Sequence, residues 1–202
     1  MRRLTQAGFN LLELMMVVLI TGVLLGVGIP MFTQFTANNR MAAATNDLVT
    51  SIHMARSEAV KRRTIVSICA SADWNTDSPE CDLTGGPAGW LIFADLDGDV
   101  WVDAGDTIVS IHGPVPDRVT FQIDDDSLPY IQFAASGFPR QAAAGTAISN
   151  IQLCDDRGDV ATGNTTDEGE IAAGRWLQIG ATGRPQLYRS REAIQGNLLG
   201  GC

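Results

Sequence analysis

At 202 residues the chain has room for one domain of ordinary size and an appendage. Its 23 acids outnumber its 14 lysines and arginines, leaving a formal charge of -9, which argues against a general nucleic-acid or anionic-membrane surface. Neither histidine suggests catalysis, since His53 lies beside a helical stripe and His112 in a His-Gly-Pro turn. No nucleotide, zinc-protease or serine-hydrolase pattern occurs either, so the sequence predicts a non-enzyme without a resident organic cofactor.

In chain order, a short basic leader with Arg2 and Arg3 comes first. Gly8-Phe9-Asn10-Leu11-Leu12-Glu13-Leu14 follows, then an apolar run as far as Pro30. That run can cross a bilayer and exceeds the ~7–15 apolar residues of a removable secretory signal. The nearest A-x-A-like triplet, Ala42-Ala43-Ala44, lies well past it. A carboxylate within such a span costs roughly 2.5 kcal/mol or more and marks a specific partner. Here the natural partner is an amine. Arg2 and Arg3 hold the leader on the cytoplasmic side and send everything after Pro30 outward. Gly22 and Gly26 make a small-xxx-small face for close helix approach. Pro30, lacking an amide donor, is expected to kink the helix.

The Gly8-Phe9 junction followed by Glu13 resembles the precursors of type IV pilins. That resemblance implies a prepilin peptidase that cuts after Gly8 and N-methylates Phe9. Residues 1–8 would then be a leader and 9–32 a transmembrane assembly helix. Glu13 would neutralise the Phe9 amine of an adjacent subunit. The family often carries Thr where Asn10 stands and Ile where Leu12 stands.

Past Pro30, Leu48, Ile52, Ala55 and Ala59 recur at helical spacing, so 33–63 should be an amphipathic continuation packed on a domain. One helix from Phe9 to about Arg62 would be about 80 Å long. From Thr64 the period changes to that of strands: 64–69, 89–94, 106–111, 119–123, 130–133, 148–153, 176–179 and 185–189. Turn residues separate them without helical periods between, which makes the sheets antiparallel. The expected class is α+β, a long N-terminal helix on a β-rich globular domain spanning 64–202.

Met54-Ala55-Arg56-Ser57-Glu58-Ala59-Val60, Ser67-Ile68-Cys69-Ala70-Ser71 and Gly89-Trp90-Leu91-Ile92-Phe93 with its following Asp-Gly turn resemble the GspH/FimT (FimU-like) branch of minor pilins and pseudopilins. The resemblance implies a single-pass inner-membrane subunit with a periplasmic domain. Such a subunit assembles with other pilin or pseudopilin subunits, in a type IV pilus or its tip, or in a type II secretion pseudopilus.

Three sets of residues remain. Cys69, Cys81, Cys154 and Cys202 face an oxidising compartment and can form two disulfides in three ways. Cys69–Cys81, closing a short loop, and Cys154–Cys202, tying down the C-terminus, are favoured. Asp95, Asp97, Asp99, Asp103 and Asp106 fall at positions 1, 3, 5, 9 and 12 of a calcium loop. Its glycine, however, stands at position 4, and Val100 occupies position 6, where the sharp turn needs one. The same residues also read as a polar hairpin tip. Finally, Arg175, Arg184, Arg189 and Arg191 form a basic end. FimT members of the family carry a Gly-Arg-x-Arg loop associated with DNA capture during natural transformation. Here Gly183-Arg184 matches, Pro185 and Gln186 follow, and the next arginine is Arg189. The alternative implied is a DNA-binding minor pilin using Arg184, Arg189 and Arg191. Read from the residues alone, these arginines pair with acids near Asp155, Asp156 and Asp159, or are solvated.

Overall fold

The computed structural model describes residues 10–81, 89–124, 130–142, 147–159, 161–166 and 169–202. The leader, Gly8 and Phe9 lie outside the described residues. The chain divides into two compact units, Met1–Asn39 and Arg40–Cys202. Helix α1, Leu11–Arg62, contributes to both.

In the first unit every residue from Asn10 to Phe35 is exposed, and α1 is long and apolar enough there to cross a membrane. Its threonine hydroxyls are satisfied within the helix. Thr21, Thr33 and Thr36 donate their hydroxyls to the carbonyls of Val17, Pro30 and Thr33 at 2.7, 2.9 and 2.9 Å. Such back-bonding lets a hydroxyl sit in apolar surroundings. Pro30 lies inside a continuous helix, where its missing amide leaves the Gly26 carbonyl without the usual donor.

In the second unit α1 buries Met41, Ala44, Thr45, Leu48, Ser51, Ile52, Ala55 and Ala59. The four-residue stripe read from the sequence is therefore the C-terminal part of a longer one that starts at Met41. Two sheets share this core. The first has the order β3-β2-β1-β5, from β1 Ile65–Ser71, β2 Gly89–Asp95, β3 Thr107–His112 and β5 Tyr130–Phe133. The second runs β4-β6-β8-β7, with β9 also pairing with β8. Its strands are β4 Val119–Ile123, β6 Asn150–Asp155, β7 Ala161–Thr166, β8 Gly169–Ile179 and β9 Pro185–Ser190. All strand pairs are antiparallel.

The core joins the α1 stripe to Val66, Ile68, Trp90, Ile92, Ile131, Phe133, Ile151, Leu153, Leu177 and Ile179. Trp90 donates its indole N–H to Ser51 on α1 at 2.8 Å, so even the polar edge of this large ring is satisfied on burial.

Three features depart from the sequence-based expectation. Strand β7, Ala-Thr-Gly-Asn-Thr-Thr, has no apolar alternation to announce it. Strand β8 starts at Gly169, seven residues before the apolar stretch that begins at Trp176. A short helix α2, Arg191–Gly196, follows β9, capped by the Ser190 hydroxyl accepting from the Ala193 amide at 3.3 Å. Six residues are too few to show a period.

Ile52 is fully buried beneath both sheets. Ile52→Ala should therefore cost about 2–5 kcal/mol in chemical denaturation, while the partly exposed Met54→Ala should cost much less. Equal effects would contradict the packing described.

Candidate functional site

Glu13 lies in the first turn of α1. The helix dipole and free amides of that turn favour a carboxylate. No other ionisable residue occurs between Asn10 and Asn39, so the segment brings a negative charge and no counter-charge of its own. Gly22, Gly26 and Gly28 have nothing within 4 Å of where a side chain would begin, which leaves the surface open to close approach by another helix.

The acidic loop between β2 and β3 brings together Asp95, Asp97 and Asp99, with one oxygen of each within 4.8 Å of the others. Asp103 and Asp106 are not part of that group. Asp106 accepts instead from the Leu96 amide at 2.9 Å and the Asp103 amide at 3.3 Å. Asp95 is fully buried and accepts four hydrogen bonds. The donors are the Gly98 and Val100 amides at 2.6 and 3.1 Å, the Ser67 hydroxyl at 2.6 Å and the Gln132 amide nitrogen at 3.0 Å. These donors offset the desolvation of its charge and wind the loop around it.

The turn geometry itself was misjudged from sequence. Val100 adopts φ 78° at the sixth position, so the sharp turn forms without a glycine. A β-branched residue there stores about 1–3 kcal/mol of strain, held by packing of Val100 against Tyr130 and Ala142. Gly98, at φ 80°, is fixed by a second constraint, since a side chain there would strike Arg140.

Asp103 has its carboxyl raised above the ordinary value, first by loss of hydration and then by repulsion from Asp106, Asp97, Asp99 and Asp95. A raised acid gives stability that is full below its unfolded value and lost as pH rises through the folded one. Without added calcium, Asp103→Asn is expected to raise the neutral-pH Tm and to matter less in acid. A lower neutral Tm would contradict this.

The basic end separates into three environments. Arg184 and Arg189 are exposed. Arg191 pairs with Glu170 at 2.9 Å. Arg175 is no surface residue: it is 5% exposed and its Nη1 donates to the carbonyls of Ala172, Ala173 and Gly174 at 2.8, 2.9 and 2.7 Å. Those carbonyls lie where the β8–β9 register breaks, so the guanidinium supplies donors the ladder omits. Burial, then repulsion from Arg189 and Arg157, lowers its pKa to about 10. The neighbouring acids have other partners: Asp155 takes Arg157 at 2.5 Å, Asp156 takes Arg118 at 3.5 Å, and Asp159 takes the Cys202 amide at 2.9 Å. Arg175→Ala should cost about 1–3 kcal/mol by stranding buried carbonyls, whereas Arg184→Ala and Arg189→Ala should leave denaturation midpoints unchanged. The reverse order would contradict the assignment.

Both favoured disulfides are present, Cys69–Cys81 and Cys154–Cys202, with Cα–Cα distances of 5.6 and 5.5 Å. The second pulls the C-terminus onto β6. Gly174 makes room for it, since a side chain there would meet the Cys202 sulfur at 2.8 Å. The clasp is completed by Asn197, which donates to Gln152, and by Ile194, fully buried on α2. Sequence signalled the cysteine, but not the glycine and asparagine that serve it.

Residues 44–188 match the family model described as type II transport protein GspH. The chain is 32% identical over 111 residues to the pilin-like protein PilA1 of Thermus thermophilus, an overlap of 54% of this chain and 61% of that protein. It therefore spans less than two thirds of that relative's length. Among solved structures it is similar to the type IV minor pilin FimU of Pseudomonas aeruginosa PAO1, at 24% identity and a TM-score of 0.44. That match covers 76% of this chain and 92% of FimU. A second crystal form of the same protein gives 22% identity and a TM-score of 0.41, covering 73% and 91%.

Proposed function

The chain belongs to the family of type II transport protein GspH, and we propose that it is a minor pilin or pseudopilin, a structural subunit and not an enzyme. The observation that carries this reading is Glu13, a lone ionisable side chain in an exposed apolar helix, attached to a domain of that family. In the proposed mechanism a prepilin peptidase cuts after Gly8 and methylates Phe9. The helix then anchors the subunit in the inner membrane, with the domain from Arg40 onward in the periplasm. Assembly draws the helices of neighbouring subunits together, their glycine faces in contact. Glu13 of one subunit meets the Phe9 amine of another, in a type IV pilus or a type II secretion pseudopilus. In a low-dielectric setting an unpaired charge is costly and a paired one strongly held, so registered subunits are retained and misregistered ones rejected.

Glu13→Ala is expected to leave cleavage intact and to abolish co-purification of the protein with sheared filaments. Normal incorporation would contradict the mechanism. DNA capture, the alternative, has only the exposed Arg184 and Arg189 to draw on.

Calcium at the Asp95 loop is a second reading, carried by the convergence of the Asp95, Asp97 and Asp99 carboxylates. Gln132 is fully buried with its amide against Asp95 and the Gly98 carbonyl, yet its Oε1 has no hydrogen-bond partner. The fit is partial, because Asp95 is already supplied with donors and Asp106 is bound to backbone. Calcium should raise the Tm of the native protein but not of Asp97→Asn. An unchanged Tm between calcium and chelator retires this reading.

A further inference from the structure

The outer face of the second sheet carries an ordered array that neither the assembly helix nor the acidic loop uses. Register places Gln122, Gln152, Trp176 and Tyr188 in one row across β4, β6, β8 and β9. A parallel row holds Asn150, Gln178 and Gln186 across β6, β8 and β9. The opposite faces of the same strands supply Ile151, Leu153, Leu177 and Ile179 to the core.

The rows hold five carboxamides, an indole and a phenol. The two rings stack with centroids 4.4 Å apart and planes 25° from parallel. Their orientations are fixed from beneath and beside. The indole N–H of Trp176 donates to Asn150 at 3.3 Å and the Tyr188 hydroxyl to Gln186 at 2.8 Å. Asp124 in turn holds the Asn150 side chain at 3.0 Å. Asn150 and Gln152 are buried. Gln122 and Gln186 are exposed, while Trp176, Gln178 and Tyr188 are half-buried. One side of this floor is walled by the C-terminal clasp, through the Asn197 contact to Gln152 and the packing of α2 on β8 and β9.

We propose that this face binds a neutral glycan strand, sugar rings stacking on the Trp176–Tyr188 pair while hydroxyl and acetamido groups bond the carboxamides of Gln122, Gln178 and Gln186. Charge selects this occupant. Neither row contains a lysine or arginine and Asp124 borders them through Asn150, so an anionic polymer finds no counter-charge within the rows themselves on a chain of formal charge -9. An apolar partner finds no aliphatic side chain there. A sugar polymer offers both what aromatic faces stack on and what carboxamides pair with, each as donor and acceptor. The hydrogen bonds already fixing the rings reduce the ordering needed on binding.

The test uses the full chain in lipid nanodiscs, titrated with the hexamer of N-acetylglucosamine and followed by tryptophan fluorescence and calorimetry. Saturable binding is expected, lost in Trp176→Ala. Because Trp176 supports its surroundings, Gln178→Ala and Gln186→Ala provide a second reading. Each should weaken binding about tenfold, the worth of one good hydrogen bond, with both disulfides and the Tm unchanged. Absence of saturable binding by the native protein, or binding indifferent to all three variants, overturns the proposal. Preferential binding of oligothymidylate, lost in the same variants, would assign the face to nucleic acid instead. Self-association lost in those variants would assign it to a second copy of the chain.

Discussion

A single carboxylate in a segment with no cation of its own is the constraint around which this chain is organised. From Asn10 to Phe35 the first unit is apolar and exposed all round, a surface that water would penalise and lipid would accept. The same lipid makes Glu13 costly unless a positive group meets it. In the proposed assembly that group is the chain end that a cut after Gly8 would free at Phe9, supplied by a neighbouring copy. The apolar surface therefore specifies the surroundings and the acid specifies the company kept there.

Within the second unit, α1 changes character, replacing an all-round apolar surface with one stripe of mostly small side chains. Ala44, Ala55 and Ala59 let the sheets approach closely, while Leu48 and Ile52 fill the space between. Two polar groups caught in the interior are answered by others: Ser51 by Trp90, and Asp95 by Ser67, Gln132 and two loop amides. Arg175 and the Cys154–Cys202 clasp do the same for the second sheet, closing a register break and a loose terminus. The cysteines, glycines and buried charges described here hold shape.

How much of this was legible depended on whether the signal was periodic or singular. The α1 stripe and the apolar strands followed from spacing, because burial of one face leaves a repeat in the sequence. The cysteine pairing followed from loop length and position. Strand β7 escaped because its threonines and glycine carry no alternation, and α2 escaped because six residues cannot display a period. Arg175 was misplaced because composition alone cannot tell an arginine that solvates from one that satisfies stranded carbonyls. Val100 shows the same limit in the backbone. Sequence preference assigns a left-handed residue to glycine, and tertiary packing overrode it.

The most direct measurement is the intact mass of the protein purified from its native membrane. The account predicts a chain that begins at Phe9 and carries one added methyl group on that amine. A chain still beginning at Met1, or one cut beyond Pro30 with the apolar segment removed, would contradict it.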